Sequence, residues 1–191
     1  MKLMIASDIH GDLECAERLV AAYKESGAER LLLLGDVLYH GPRNDLPAGY
    51  APKGVISLLN SIADEIICVR GNCDTEVDQM VLDFPLLADY SYVLADGLCI
   101  FATHGHKYSS GNPPKLKAGD VLLCGHTHIS AAEQFGADNW YINPGSVSIP
   151  KNNSEKSYII YENREFTFCT LDGAVYDVLE MKYKEKIPQS F

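Results

Sequence analysis

Five apolar runs in the 191-residue sequence end in side chains that can bind a metal ion. In chain order, the side chains that follow these runs are Asp8 with His10, Asp36, Asn72, His104, and His126 with His128. Nitrogen and oxygen donors of this kind, without thiolate, suit Mn, Fe, Co or Zn. Because ligands bind at the carboxyl ends of strands in open α/β sheets, we predict that these side chains meet at one site.

The spacing of these residues indicates two metal ions rather than one. Asp8/His10 and His126/His128 are separated by two positions, which places both members of a pair on one side of an extended chain. Glycines directly precede Asp36, Asn72 and His126, as expected where two backbone segments pass closely. Two carboxylates, an amide and several imidazoles are too many for one tetrahedral zinc and suit two metals that share a carboxylate.

Each motif has a simpler interpretation when it stands alone. A Gly-Asp after a strand is commonly just a turn, and a single Asp-x-His after a strand is weak evidence of a metal site. The conjunction favours the metal centre, because five of the six histidines stand at strand ends. The sixth, His40, lies in the longest irregular segment, 38–52, and a loop of that length is often functional.

The order of predicted elements indicates an α/β fold. The first half alternates strands with helices over 13–25 and 54–63, and Asp12 is the expected N-cap of the first helix. The second half contains hairpin signals at Asp96-Gly97 and Asp172-Gly173. We therefore predict two mixed β-sheets packed face to face and flanked by helices, within a single domain over 1–191.

Composition excludes several classes of function. A net charge of −10 argues against general nucleic-acid binding, which depends on a cationic surface. The sequence has no apolar run long enough to span a bilayer and no secretory leader, so no membrane association is expected. Six scattered cysteines without a Cys-x-x-Cys pair favour reduced thiols and a cytoplasmic protein.

The ordered motifs DIH, GDV, GNCD, THGH and GHTH, over residues 8–128, resemble those of the calcineurin-like metallophosphoesterases. The segments GDVLYHGPRNDLPAGYAP, VRGNCDTEVDQM and NPGSVSIPK resemble the small YfcE-type phosphodiesterases and extend the likeness to about residue 151. The resemblance implies a four-layer αββα sandwich and a phosphodiesterase that acts on a small phosphodiester through a hydroxide activated by two metals. It favours Mn²⁺, with Zn²⁺, Fe²⁺, Co²⁺ or Ni²⁺ as alternatives.

The resemblance also implies a ligand set for each metal. One metal is expected on Asp8, His10, Asp36 and His128, and the second on Asp36, Asn72, His104 and His126, with Asp36 bridging. Two other functions stay open: a phosphomonoesterase or nucleotidase of the same fold, and a non-catalytic protein-binding scaffold resembling the retromer subunit. The intact histidines argue against the scaffold. A homo-oligomer also stays open.

Five further residues are predicted to assist catalysis or bind the substrate. Many superfamily members have a histidine, paired with an acid, where this sequence has Cys73 followed by Asp74, so both are candidate catalytic residues. A thiol is a weak hydrogen-bond donor, and we therefore expect aryl esters to be better substrates than alkyl esters unless His106 or His40 acts as the acid. Arg43, His40 and His106 are candidates for substrate binding, and each alternatively serves only its own loop.

Overall fold

A computed structural model describes residues 1–136 and 138–182 of the chain. The strands are β1 (Lys2–Ala6), β2 (Arg30–Leu33), β3 (Ile66–Cys68), β4 (Tyr90–Ala95), β5 (Leu98–Thr103), β6 (Val121–Leu123), β7 (Ser130–Phe135), β8 (Asn139–Pro144), β9 (Ser157–Glu162), β10 (Glu165–Thr170) and β11 (Val175–Glu180). The helices are α1 (Leu13–Ser26), α2 (Pro52–Asn60) and α3 (Glu76–Gln79), with a 3₁₀ turn at Ala63–Glu65.

Two mixed sheets form the body of the protein, as predicted. The six-stranded sheet has the order β11-β10-β9-β1-β2-β3, and the five-stranded sheet has the order β4-β5-β6-β8-β7. In the first sheet β1, β2 and β3 are parallel. In the second sheet β5, β6 and β8 are parallel. The carboxyl ends of each parallel set therefore lie at a common edge, which is where the predicted ligands follow the strands.

The pleat of the strands divides the core into layers. Along β1, Leu3 and Ile5 pack in the cluster between the two sheets, whereas Met4 and Ala6 pack in the cluster that contains the buried residues of α1 and α2. Successive side chains of a strand point to opposite faces, so a continuous apolar run fills both layers. Neither face of β1 reaches water, and this explains why its sequence does not alternate.

The first helix begins and ends where its sequence indicates. The side chain of Asp12 accepts a hydrogen bond from the Cys15 backbone N–H, as an N-cap does, and Gly27 ends the helix with a φ of 68°. The second helix begins earlier than predicted, at Pro52, because proline is favoured in the first helical turn.

The hairpins agree with the prediction in part. Asp96-Gly97 forms the tight turn between β4 and β5, with φ values of 51° and 75°. The connection at Asp172-Gly173 is longer than a two-residue turn and spans 171–174. The turn at Asn163-Arg164 between β9 and β10, where both residues have positive φ, was not predicted. The turn contains no glycine, and arginine seldom adopts this conformation, so its residue types did not indicate a turn.

The two outer faces of the sandwich are covered differently. The helices α1 and α2 pack on the six-stranded sheet. On the five-stranded sheet, the described residues that cover the outer cluster include Tyr108 and Leu116, from the segment between β5 and β6. Within the described ranges, no helix is long and apolar enough to cross a membrane.

Candidate metal centre

Most predicted ligands lie on backbone that turns sharply at the strand end. The φ angles are positive at five of them, namely Asp8, His10, Asp36, His126 and His128. For a residue other than glycine this left-handed conformation costs about 1 kcal/mol or more and persists only where the surrounding structure imposes it. The turns bring side chains from different strands to one point, and strain of this kind is common at functional sites.

Three glycines allow the backbone segments to meet. A Cβ on Gly35 would overlap Gly71, and a Cβ on Gly71 would overlap Asp36. A Cβ on Gly125 would overlap the Ser7 hydroxyl and come within 2.9 Å of Asp8 Oδ2. The close approaches predicted from the Gly-ligand motifs are therefore present at all three positions.

The first group of donors consists of Asp8, His10 and His128. The Nε2 atoms of the two histidines are 3.2 Å apart, and Asp8 Oδ1 lies 3.4 Å from His10 Nε2 and 3.2 Å from His128 Nε2. All three side chains are almost completely buried. Three potential ligand atoms therefore converge in a space the size of one cation.

The second group consists of Asn72, His104 and His126. His104 Nε2 lies 3.1 Å from Asn72 Oδ1 and 3.2 Å from His126 Nδ1. Asp36 stands between the two groups, because its Oδ2 is 3.4 Å from His104 Nε2 and 3.8 Å from His10 Nε2. This is the place that a bridging carboxylate would occupy.

Backbone carbonyls orient three of the imidazoles. His10 Nδ1 lies 2.7 Å from the Tyr39 carbonyl oxygen, His104 Nδ1 2.7 Å from that of Leu34, and His128 Nδ1 2.8 Å from that of Ile149. A carbonyl oxygen only accepts, so each Nδ1 donates and each Nε2 presents a lone pair to the centre in the neutral ring. Metal-binding histidines are commonly held in this way.

The charges at the centre favour a bound cation. Burial works to lower the pKa of His104, but Asp36 and Asp8 raise it to about 9. Burial works to raise the pKa of Asp8, yet the adjacent His10 and His128 imidazoles hold it well below its usual value. Burial and the neighbouring charge of His104 lower the pKa of His126 to about 4. The carboxylates that attract a proton to His104 would also attract a metal ion.

A second observation supports the fit of this donor set to divalent metals. Asp8 Oδ1 is buried and makes no hydrogen bond among the described residues. Two imidazole lone pairs 3.2 Å apart, with an unsatisfied carboxylate oxygen beside them, repel one another unless a cation lies between them. The residues present therefore fit divalent metal ions, and the two ligand sets implied by the resemblance stay a prediction.

Cys73 borders the centre, whereas Asp74 is directed away from it. The Cys73 thiol accepts a hydrogen bond from Asn72 Nδ2, and burial and the Asp36 carboxylate raise its pKa, which keeps it protonated. The Asp74 carboxylate is buried and accepts hydrogen bonds from the backbone N–H groups of Gly71, Asp36 and Val37 at 2.7–2.9 Å. Asp74 therefore ties the loop after β3 to the end of β2, and these contacts make it a positioning residue.

We expect the Asp74→Asn variant to be about 2–4 kcal/mol less stable than the wild type. The asparagine amide would point an N–H group at backbone donors and leave at least one of them unsatisfied in a buried place. Urea unfolding monitored by circular dichroism measures the loss, with the exposed Asp83→Asn as control. Equal stability of the two variants would contradict the positioning role.

The three residues predicted to bind the substrate differ in their position relative to the cleft. Arg43 lines the cleft over the metal centre. His106 lies outside the converging donors, with its ring centroid 5.4 Å from that of His104, and burial lowers its pKa. The His40 ring packs edge-on against Tyr39 and Tyr50. Of the three predicted substrate-binding residues, the structure therefore brings only Arg43 to the cleft.

Four further residues of the site were not predicted. Asn44 and Lys151 also line the cleft, and Lys151 adds a second positive charge to that of Arg43. Ser146 and Ser148 donate hydrogen bonds to the Asp8 carbonyl and hold it in its turn. Ser146, Ser148 and Lys151 lie in the segment NPGSVSIPK and Asn44 lies in the loop 38–52, and neither segment marked them as site residues.

A family model of the calcineurin-like phosphoesterase superfamily domain matches residues 1–165 of the chain. The chain belongs to the calcineurin-like phosphoesterase superfamily. This confirms the resemblance on which the ligand sets were based, and it makes the chain an enzyme of the phosphoesterase class. Divalent metal ions are implied by the family and fit the clustered histidine and aspartate side chains.

The chain is similar in sequence and in structure to YfcE of Escherichia coli. It is 53% identical to the phosphodiesterase YfcE of Escherichia coli K12 over 172 residues, which is 90% of this chain and 93% of that protein. The solved structure of Yfce, described as a phosphoesterase from E. coli, aligns with a TM-score of 0.92 at 48% identity, over 95% of this chain and all of that one. Vps29 from Entamoeba histolytica complexed with Zn²⁺ shares the fold, with a TM-score of 0.59 at 18% identity over 95% of this chain and all of that one.

Proposed function

We propose that the protein is a phosphodiesterase that requires two divalent metal ions, with Mn²⁺ as the favoured metal. One observation carries the proposal: two groups of donors, the first buried and the second partly exposed, lie on either side of the Asp36 carboxylate, each with two histidine nitrogens. The 53% identity to the E. coli phosphodiesterase YfcE supports a diester as the substrate. The six unpaired thiols support the predicted cytoplasmic location.

The residues of the centre have separable roles in this function. Bound metals would lower the pKa of a water molecule and neutralise charge on the phosphoryl oxygens. The Nδ1 hydrogen bonds of His10, His104 and His128 hold the ligands in register for those metals. Arg43 and Lys151 place positive charge at the cleft, which allows a protein with a net charge of −10 to attract an anionic ester.

The thiol of Cys73 is expected to favour esters whose leaving group needs no proton. This thiol stands at the cleft with its pKa raised by burial, and it is a poor general acid. An aryl group leaves as a stabilised anion and needs little help, whereas an alkoxide needs a proton. The expected order of substrates is therefore aryl diesters before alkyl diesters. Phosphomonoesters, the substrates of the alternative function, add a further negative charge that Arg43 and Lys151 could bind.

We expect EDTA to abolish hydrolysis of an aryl phosphodiester and Mn²⁺ to restore it. Metal-free protein should be assayed with Mn²⁺, Zn²⁺, Co²⁺, Fe²⁺ or Ni²⁺ on matched p-nitrophenyl diesters and monoesters, with bound metal counted by elemental analysis. A higher kcat/KM for the monoester would favour the phosphomonoesterase. Bound metal without turnover of any ester would favour the scaffold.

A further inference from the structure

An apolar groove adjoins the metal centre, and Cys73 lines both. The groove has a volume of about 360 Å³ and lies between the loop 38–52, the start of α2 and the region of α3. The cleft directly over the ligands has a volume of about 30 Å³, which is room for little more than a water molecule. The ester groups of a phosphodiester must therefore lie outside the cleft, and the groove offers adjoining space of the size of a small-ligand site.

The walls of the groove are apolar and open to solvent. Tyr39, Val77 and Val81 are exposed by 42%, 68% and 41%. Large apolar side chains grouped around a concave surface generally mark a binding site. The charged residues of the lining, Lys53 and Asp78, have opposite signs. The groove therefore suits an uncharged apolar group, in contrast to the cationic side of the cleft.

One loop connects the groove to the metal centre. The Tyr39 carbonyl holds His10 Nδ1 at 2.7 Å, and the Tyr39 side chain forms part of the groove wall. Four residues later in the same loop, Arg43 lines the cleft. A Cβ on Gly41 would lie 3.0 Å from Cys73 Sγ, so the loop packs directly on the residue shared by the two spaces. The groove is thus held at a set distance from the ligands.

We propose that this groove binds an apolar ester group of the substrate. The substrate class is then phosphodiesters with an aromatic or similarly bulky apolar substituent. The proposal rests on the phosphodiesterase function and deepens it, because it assigns specificity to binding as well as to the ease with which an aryl group leaves.

Two diesters with the same leaving group separate binding from leaving-group chemistry. Methyl p-nitrophenyl phosphate and phenyl p-nitrophenyl phosphate both release p-nitrophenolate and differ only in the retained group. The Mn²⁺-loaded wild type, Val81→Asp and Val77→Asp would be assayed on both. The matched control is Val178→Asp, since Val178 is 49% exposed on β11. Thermal unfolding verifies that each variant is folded.

We expect Val81→Asp to lower kcat/KM for the phenyl diester roughly tenfold, mainly through KM. A tenfold change corresponds to the loss of about 55 Å² of apolar contact between the protein and the substrate. The methyl diester should change by less than about twofold, and Val77→Asp should act in the same direction. A similar loss on both diesters, through KM and with unchanged metal content, assigns the p-nitrophenyl group to the groove.

Two results would overturn the proposal, and they are distinguishable. If both groove variants match Val178→Asp on both substrates, the groove serves another occupant, such as a protein partner, while the phosphodiesterase function stands. If the wild type hydrolyses neither diester, the proposed function fails and the groove proposal fails with it.

Discussion

Replacement of Asp36 with asparagine is expected to lower kcat/KM for an aryl phosphodiester at least roughly a thousandfold, which corresponds to about 4 kcal/mol of transition-state stabilisation. Asp36 Oδ2 faces both donor groups, at 3.4 Å from His104 Nε2 and 3.8 Å from His10 Nε2. The substitution removes one negative charge from both metal sites at once. Asparagine keeps the Oδ1 acceptor for the Cys73 backbone N–H, so the loop should keep its conformation.

Metal content tests this prediction independently of activity. We expect about two Mn²⁺ ions per wild-type chain and fewer in Asp36→Asn, as measured by elemental analysis after dialysis against limiting metal. Asp45→Asn, at an exposed position of the loop 38–52, is the control and should bind metal like the wild type. Full activity of Asp36→Asn at saturating Mn²⁺ would exclude a bridging role for this carboxylate.

The Gly71→Ala variant is expected to lose about 3 kcal/mol of stability, roughly 6–12 °C in Tm, together with most of the metal binding. The new methyl group would overlap Asp36 Oδ1 and the Asp36 backbone nitrogen. These atoms have little freedom to move, because the Asp36 N–H is bonded to Asp74. The clash therefore displaces the shared ligand as well as the loop that carries Asn72.

Gly111→Ala is a matched control for this clash. Gly111 and Gly71 both lie outside the left-handed region, and the nearest atom to a Cβ on Gly111 is Ser109 Oγ at 3.9 Å. We expect Gly111→Ala to retain the wild-type Tm and metal content. Differential scanning calorimetry compares the two variants, and equal Tm values would mean that the approach of the two loops is not sterically required.

The sequence determined the residue types at the metal centre and the strands that carry them. Apolar runs followed by aspartate, asparagine or histidine predicted strand ends, and parallel pairing brings such ends to one edge of a sheet. The helix cap at Asp12 and the hairpin at Asp96-Gly97 were also predictable, because local hydrogen bonding and φ preferences determine both.

Contacts between distant segments were decided by the tertiary structure alone. Asp74 was a candidate catalytic residue by its type and position, but folding brings it to the backbone N–H groups of Asp36 and Val37, 37 or more positions away. His40 has the chemistry of a substrate-binding residue, yet its ring packs against Tyr39 and Tyr50. Side-chain type does not encode these outcomes, because they depend on which way the loop turns.

The residues that line the cleft and the groove were likewise brought together by the tertiary structure alone. Nothing near Lys151 in the chain marks it as a neighbour of Arg43, and no sequence period joins Tyr39, Ile56 and Val81. The sequence alone therefore determined the chemistry of the metal centre, through short motifs whose residues act within a few positions of a strand end. The surroundings of that centre depend on long-range packing, because a cavity exists only where separate elements fail to fill the space between them.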